Sequence, residues 1–222
     1  MKNTVIAIDG PAGAGKSSVS KCVAKKFGFI YIDTGAMYRA VAVYFLRLGG
    51  DTEKLISKLS EIDIDLFYSD DGLHVTLNNE DVTGIIRTSE VSAAASAVAV
   101  LPEVRLKLVE LQRKIAADKS VIMDGRDIGT YVLPDADLKI YLTASSGERA
   151  KRRCLEYKEQ NIPYDFQKVK ADIESRDYND MHREFAPLRR AEDAILVDTD
   201  SLDFEQVTEK ISEIIKEKCN VL

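Results

Sequence analysis

Apolar residues run in short blocks separated by polar turns, and the blocks change period along the chain. Residues 4–8 form an apolar-leaning block, and Val19, Val23, Ala24 and Phe27 then recur at helical spacing before Gly28. That pattern predicts a buried strand, a loop and a helix over Lys16–Phe27. Residues 29–32 suit a second buried strand. Asp33-Thr34-Gly35 caps a helix carrying Ala40, Val43, Tyr44 and Leu48, and Gly49-Gly50 ends it. The period then becomes two. Ile62, Ile64, Leu66 and Tyr68 alternate, Ser69-Asp70-Asp71-Gly72 intervenes, and Leu73, Val75 and Leu77 alternate again, which predicts an antiparallel hairpin over 62–77.

Helical period returns in the alanine-rich stretch 89–100. Pro102 opens a further helix with Val104, Leu108, Leu111 and Ile115 on one stripe. Buried strands are expected at 121–123, 138–142 and 195–197, and a last helix carries Phe204, Val207, Ile211 and Ile214. Residues 146–182 are charged and helix-compatible, with a break at Asn161-Ile162-Pro163. Strands alternating with helices give an α/β fold, a P-loop-type parallel sheet with helices on both faces, into which the hairpin is inserted. Ligands of such sheets lie at the carboxyl ends of the strands.

Chemistry enters at the first turn. Gly10-Pro11-Ala12-Gly13-Ala14-Gly15-Lys16-Ser17 is a complete G-x-x-x-x-G-K-S placed between the expected strand and helix. The glycines let backbone N–H groups approach anionic oxygens, Lys16 reaches the β- and γ-phosphates, and the Ser17 hydroxyl ligates Mg²⁺. With Ser18, residues 10–18 form the expected ATP site, and Mg²⁺ arrives with the nucleotide. No N-K-x-D element accompanies the loop, which argues against a guanine switch.

With 222 residues, 45% of them hydrophobic, the chain can bury a substantial core. A net charge of −6 argues against a nucleic-acid-coating surface. Cys22, Cys154 and Cys219 form no C-x-x-C pair, and with only two histidines a transition-metal centre is unsupported. No segment reaches the roughly 18 apolar residues of a membrane span or resembles a signal peptide, so a cytoplasmic protein is expected.

Against that acidic background, Arg39, Arg105, Arg126, Arg149, Arg152, Arg153, Arg176 and Arg183 fall in or beside the expected rim loops and the charged 146–182 segment. Phosphoryl transfer to a second phosphate brings two polyanions together, and forked guanidinium groups stabilise that charge. For each arginine a solvated surface charge is the alternative. Asp127 beside Arg126, and Asp180 between Arg176 and Arg183, are ion-pair candidates. An Asp and an Arg together also match the amino donor, ring-nitrogen acceptor and carbonyl acceptor of a cytosine-like base.

The loop just described resembles bacterial cytidylate kinases when taken with Asp33-Thr34-Gly35-Ala36-Met37-Tyr38-Arg39, Ile86-Arg87-Thr88, Asp124-Gly125-Arg126-Asp127-Ile128-Gly129-Thr130, and the stretch from Arg176-Asp177 to Arg183 with Ala186-Pro187-Leu188. The resemblance covers nearly the whole chain. It implies ATP-dependent phosphorylation of CMP and dCMP, with ATP and CMP or dCMP as partners and no nucleic acid or membrane, in a monomer. It divides the chain into a core (1–35, 89–145 and 184–222), a monophosphate-binding part (36–88) and a lid (146–183). By matching positions, Arg39 and Arg126 hold the acceptor phosphate, Ser96, Arg105, Asp127 and Arg183 surround the cytosine, and Arg176 and Asp180 meet the sugar. Thr34 and Tyr38 line the pocket. Lys16, Arg39, Arg126, Arg149 and Arg153 form the catalytic set, the last two closing over the ATP phosphates. A P-loop kinase for another monophosphate or a small metabolite is the alternative, and a nucleotide-binding module without turnover belongs to a different class.

Overall fold

A computed structural model describes residues 3–69 and 72–221. In chain order the elements are β1 (Val5–Asp9), α1 (Lys16–Phe27), β2 (Ile30–Asp33), α2 (Thr34–Arg47), α3 (Thr52–Ser57), β3 (Ile64–Ser69), β4 (Gly72–Leu77) and β5 (Glu80–Asp81). They continue as α4 (Ser89–Val98), α5 (Pro102–Ala116), β6 (Val121–Gly125), β7 (Leu138–Thr143), α6 (Ser146–Glu159), α7 (Phe166–His182), β8 (Ile195–Asp198) and α8 (Phe204–Cys219). The chain forms two compact units. One comprises residues 1–31 and 118–222, the other 32–117.

The first unit is built on a five-stranded sheet in the order β2-β6-β1-β7-β8, whose β1–β6, β1–β7 and β7–β8 pairs are parallel. The central strands are apolar runs because both faces are covered. Ile6, Ile8, Ile122, Ile140 and Leu142 are buried with Val19 and Val23 of α1 and Val207, Ile211 and Ile215 of α8. On α8 the expected Val207 and Ile211 are buried and Ile214 packs against the same core, with Ile215 added to that face. Ile215 is inside, while Phe204, at the helix start, is half exposed. Asp203 begins α8 with a capping box, accepting from the Gln206 N–H while the Gln206 side chain accepts from the Asp203 N–H.

Helices α6 and α7 pair through a small core of Ala150, Cys154 and Val169, supported by Tyr157, Phe166 and Ile173. They are separated at the expected break, where Asn161 takes a left-handed φ of 54°.

In the second unit α2 packs on α4 and α5. Its Ala36, Met37, Ala40 and Val41 are almost fully buried, as are Val98, Val104 and Leu108. That packing places 89–117, which the sequence reading assigned to the core, in the same unit as the 36–88 part. On α5 the buried face runs through Val104, Arg105, Leu108, Val109 and Gln112, and the expected stripe members Leu111 and Ile115 are only partly covered. The hairpin forms as β3–β4, with Ile64 opposite Leu77 and Leu66 opposite Val75, and the short β5 extends it to three strands. Asp70 and Asp71 of the expected turn lie outside the described residues. Helix α3, absent from the sequence reading, starts at Asp51, whose carboxylate accepts from the Lys54 N–H.

Candidate active site

Strand β1 runs into the glycine-rich loop and from there into α1. Gly10 has φ 151°, and a Cβ on it would sit 1.9 Å from the Leu142 carbonyl oxygen of β7, so only glycine lets β1 leave the sheet here. Gly15, at φ 87°, is the cap of α1 and offers no side-chain oxygen to the first-turn N–H groups. Those donors and the positive end of the helix are left for an anion.

Lys16, first in the helix, is buried and donates to the Pro11 carbonyl at 2.7 Å. Burial, and after it the nearby Arg126 guanidinium, lowers its pKa well below the usual lysine range, against the opposing pull of Asp124, Asp9 and Asp180. Two cations in one small region favour the arrival of an anion. The Ser17 hydroxyl donates to Asp124 Oδ2 at 2.8 Å, and the Tyr31 hydroxyl donates to the other carboxylate oxygen, Oδ1, also at 2.8 Å. Ser18, on the next position of α1, is exposed.

The neighbouring strand delivers the second half of this unit's site. Asp9 of β1 is in register with Gly125 of β6, so the loop after β6 begins beside the phosphate loop. Arg126 and Asp127 follow immediately. The Arg126 Nε donates to Asp180 Oδ2 at 3.0 Å, and Arg183 Nη2 donates to Asp127 Oδ1 at 3.2 Å. Arg183 also lies 3.7 Å from the second oxygen of Asp180. Two carboxylates and two guanidinium groups thus alternate, the Asp127–Arg183 pair being the more deeply buried.

Below this quartet the Asp9 carboxylate accepts from the Ile128 N–H at 2.8 Å and the Gly129 N–H at 2.7 Å. These bonds hold the start of the π-helical turn Ile128–Val132. Burial raises the Asp9 pKa to about 6 despite both N–H bonds.

The charged 146–182 segment is divided by the structure. Arg149 is buried, with its Nε on the Ala144 carbonyl and Nη1 on the Ala12 carbonyl of the phosphate loop, both at 2.9 Å, and its Nη2 lies 2.6 Å from Asp177. Arg152 binds the Thr199 carbonyl and hydroxyl at the end of β8. Arg153 stays on the surface, paired with Glu156 at 2.7 Å and lying over the Tyr157 ring. Arg176 is exposed on α7.

In the second unit Asp33 caps α2, accepting from the Ala36 N–H, and its other oxygen pairs with Arg39 at 3.2 Å. Thr34 is buried in the first turn of α2. Arg105 is 1% exposed, donates to the Ala99 carbonyl and places its guanidinium carbon 5.4 Å from the Tyr38 ring centre. Ser96 lies on an exposed position of α4. Arg39 and Arg105 thus sit on α2 and α5, within the two helices expected over those residues.

Sequence reading passed over Asp9, Tyr31, Asp124 as an acceptor, and Asp177. Asp9 and Asp124 carry a usable signal, since each ends a buried apolar run where a strand meets the ligand rim. Tyr31 and Asp177 carry none short of the fold.

The cytidylate kinase family model matches residues 6–217. The cytidylate kinase of Caldicellulosiruptor saccharolyticus is 52% identical over 96% of this chain and 96% of its own. That of Carboxydothermus hydrogenoformans is 52% identical over 98% and 99% respectively. Among solved structures, an uncharacterised protein of Eubacterium ventriosum aligns with a TM-score of 0.54 at 13% identity, covering 96% of this chain and 99% of that one. The shikimate kinase of Bacteroides thetaiotaomicron aligns at 0.51 and 12%, covering 98% and 99%. These two likenesses concern the fold; the matches over the whole sequence carry the assignment, and by them the chain belongs to the cytidylate kinase family.

Proposed function

We propose that this protein transfers the γ-phosphoryl group of ATP to CMP or dCMP, releasing ADP and CDP or dCDP. The observation that carries the reading is the alternating quartet Arg126, Asp180, Arg183 and Asp127, which starts beside the phosphate loop. An acceptor nucleotide needs a cationic partner for its phosphate, an acceptor for sugar hydroxyls and a mixed donor–acceptor pair for its base. Arg126, Asp180 and the Asp127–Arg183 pair supply these in order.

Cytosine presents an amino donor where uracil presents a carbonyl. A carboxylate at Asp127, which only accepts when ionised, therefore favours cytosine. The resemblance adds Thr34, Tyr38, Arg39, Ser96 and Arg105 to the acceptor's contacts and Arg176 to the sugar's. On the donor side, residues 10–18 hold the triphosphate; the resemblance gives Arg149 and Arg153 to its phosphates, Arg149 from its place beside the loop at Ala12 and Arg153 on leaving Glu156.

The acceptor oxygen is already ionised at neutral pH, so no general base is required. The protein's task is to position two anions and to oppose their repulsion. Lys16 serves this directly. Its charge is destabilised by burial and by Arg126, so a phosphate entering the loop relieves both penalties. Ser17 Oγ and the Asp124 carboxylate, 2.8 Å apart, are hard oxygen donors suited to Mg²⁺, and we assign them to it, Ser17 as ligand. When bound, the ion neutralises phosphate charge. Tyr31 fixes the Asp124 carboxylate from its other side. Three cysteines outside any disulfide accord with a reducing compartment, and we place the reaction in the cytoplasm.

The test is ADP release from Mg-ATP with CMP, dCMP, UMP, AMP, GMP or shikimate as acceptor, against a control lacking acceptor. Rapid release with CMP and dCMP alone is expected. Preference for another acceptor would move the chain to the general P-loop kinase reading, and acceptor-independent or absent turnover would refute phosphoryl transfer to a small molecule.

A further inference from the structure

Helix α7 carries three ionisable side chains three residues apart, Asp177, Asp180 and the capping Arg183, and side chains at that spacing are neighbours on a helix surface. The last two engage Arg126 and Asp127. Asp177 instead engages Arg149 at 2.6 Å, with 11% and 6% of the two side chains exposed.

Arg149 in turn is bonded to Ala12 of the phosphate loop, and Gly13 of that loop packs against it, a Cβ there lying 3.5 Å from the Arg149 Cβ. A continuous polar path thus leads from the phosphate loop through Arg149 and Asp177 into α7, and along α7 to the quartet.

We propose that Asp177 is a positioning residue that couples occupancy of the phosphate loop to recognition of the acceptor. The inference rests on the phosphoryl-transfer reading of the site. Triphosphate in the loop fixes the loop and, with it, Arg149, which is bonded to Ala12. Arg149 then holds Asp177, and α7 is held in the register that aims Asp180 and Arg183.

A staple between α6 and α7 is the competing explanation. Those helices already share the Ala150–Cys154–Val169 core and a 2.7 Å hydrogen bond from Ser146 to Glu174. A buried ion pair is moreover a poor source of net stability compared with apolar packing. The second Asp177 oxygen, Oδ1, is buried with no hydrogen-bond partner among the described residues, so the carboxylate depends on Arg149.

Calorimetric titration of the whole protein tests this. CMP affinity is measured with and without a saturating non-hydrolysable ATP analogue and Mg²⁺. In the unaltered protein the analogue should tighten CMP binding by about ten-fold, within the usual range of coupling between sites. In Asp177→Asn the two CMP affinities should differ by less than about two-fold, with CMP binding alone little changed. Asp177→Glu, which keeps the charge, should recover part of the coupling.

A staple would predict lower thermal stability with the affinity ratio intact, and an intact ratio overturns the proposal. So does an unaltered protein without coupling. Should Asp177→Asn fail to fold, amide exchange in the unaltered protein decides. The analogue alone must slow exchange in residues 177–183, and no change there overturns the coupling. An unaltered protein that binds the analogue but never CMP refutes the acceptor assignment instead, a separate outcome.

Discussion

Asp9 offers a test in which sign and size both follow from the geometry. Its carboxylate is 5% exposed at the end of β1, and both oxygens are engaged by backbone N–H groups of the loop after Arg126 and Asp127. Burial outweighs those bonds and the attraction of Lys16, and with a further push from Asp127 the pKa rises from its ordinary 3.8 to about 6. Between those values the folded chain holds a proton that the unfolded chain has released. The contribution of Asp9 to stability is therefore fully present below about pH 4 and is lost as pH rises through about 6. At about 1.4 kcal/mol per pH unit, the interval sets a ceiling of about 3 kcal/mol.

The perturbation is Asp9→Asn, which cannot ionise. Its amide keeps one acceptor oxygen and sets an NH2 against the other N–H, a penalty of about 1–3 kcal/mol that does not vary with pH. Urea unfolding of both proteins from pH 4 to 7.5 gives the difference in stability, from which every shared titration cancels. The advantage of the unaltered protein over Asp9→Asn should shrink by up to about 3 kcal/mol across that range, mostly between pH 4 and 6. A flat difference would refute the burial argument. A difference that grows with pH would show that the two N–H bonds outweigh burial.

Lys16→Met removes the buried cation while keeping its stem, and we expect at least a hundred-fold loss of kcat in the ADP-release assay, on the scale of a lost charge-stabilising donor. Asp127→Ala leaves Arg183 buried without this carboxylate and should lower unfolding stability by about 3–5 kcal/mol. Its informative readout is kcat/KM for CMP relative to UMP, which should fall by about ten-fold or more, as expected for one good hydrogen bond to a charged group. Gly10→Ala would force a Cβ to 1.9 Å from the Leu142 carbonyl at an unfavourable φ, so thermal melts should show loss at the top of the single-substitution range, about 4 kcal/mol or more.

The periodic parts of the fold were legible because their periods come from burial itself. The strand at 121–123 is apolar throughout because both faces are covered, the one at 138–142 buries Leu138, Ile140 and Leu142 while Lys139 and Tyr141 are partly covered, and the hairpin alternates because one face is covered. The phosphate loop was legible because each residue type in it answers a geometric demand, Gly10 against Leu142 most plainly.

Where a helix had more than one apolar face to offer, the sequence was ambiguous. On α8, Ile214 and Ile215 are adjacent apolar residues, and only the packing shows that Ile215 is buried fully and Ile214 in part. On α5 the same uncertainty hid the burial of Arg105, a charge that takes a core position because its guanidinium reaches the Ala99 carbonyl and the Tyr38 ring. Strand-end aspartates were within reach of the sequence, since a carboxylate after a buried run must find donors, as Asp9 and Asp124 do.

The fate of the arginines was not within reach. Arg149 and Arg153 lie one helical turn apart in the same charged run, and nothing local distinguishes them. Yet the first is buried against Ala12, Ala144 and Asp177, whereas the second pairs with Glu156 at the surface. The difference arises because α7, which shares a small core with α6, carries Asp177 opposite Arg149 and not opposite Arg153. Charge in this chain acquires its surroundings from a partner distant in sequence, so the part each arginine can play is settled by the tertiary fold even though the glycine-rich loop can be read from eight consecutive letters.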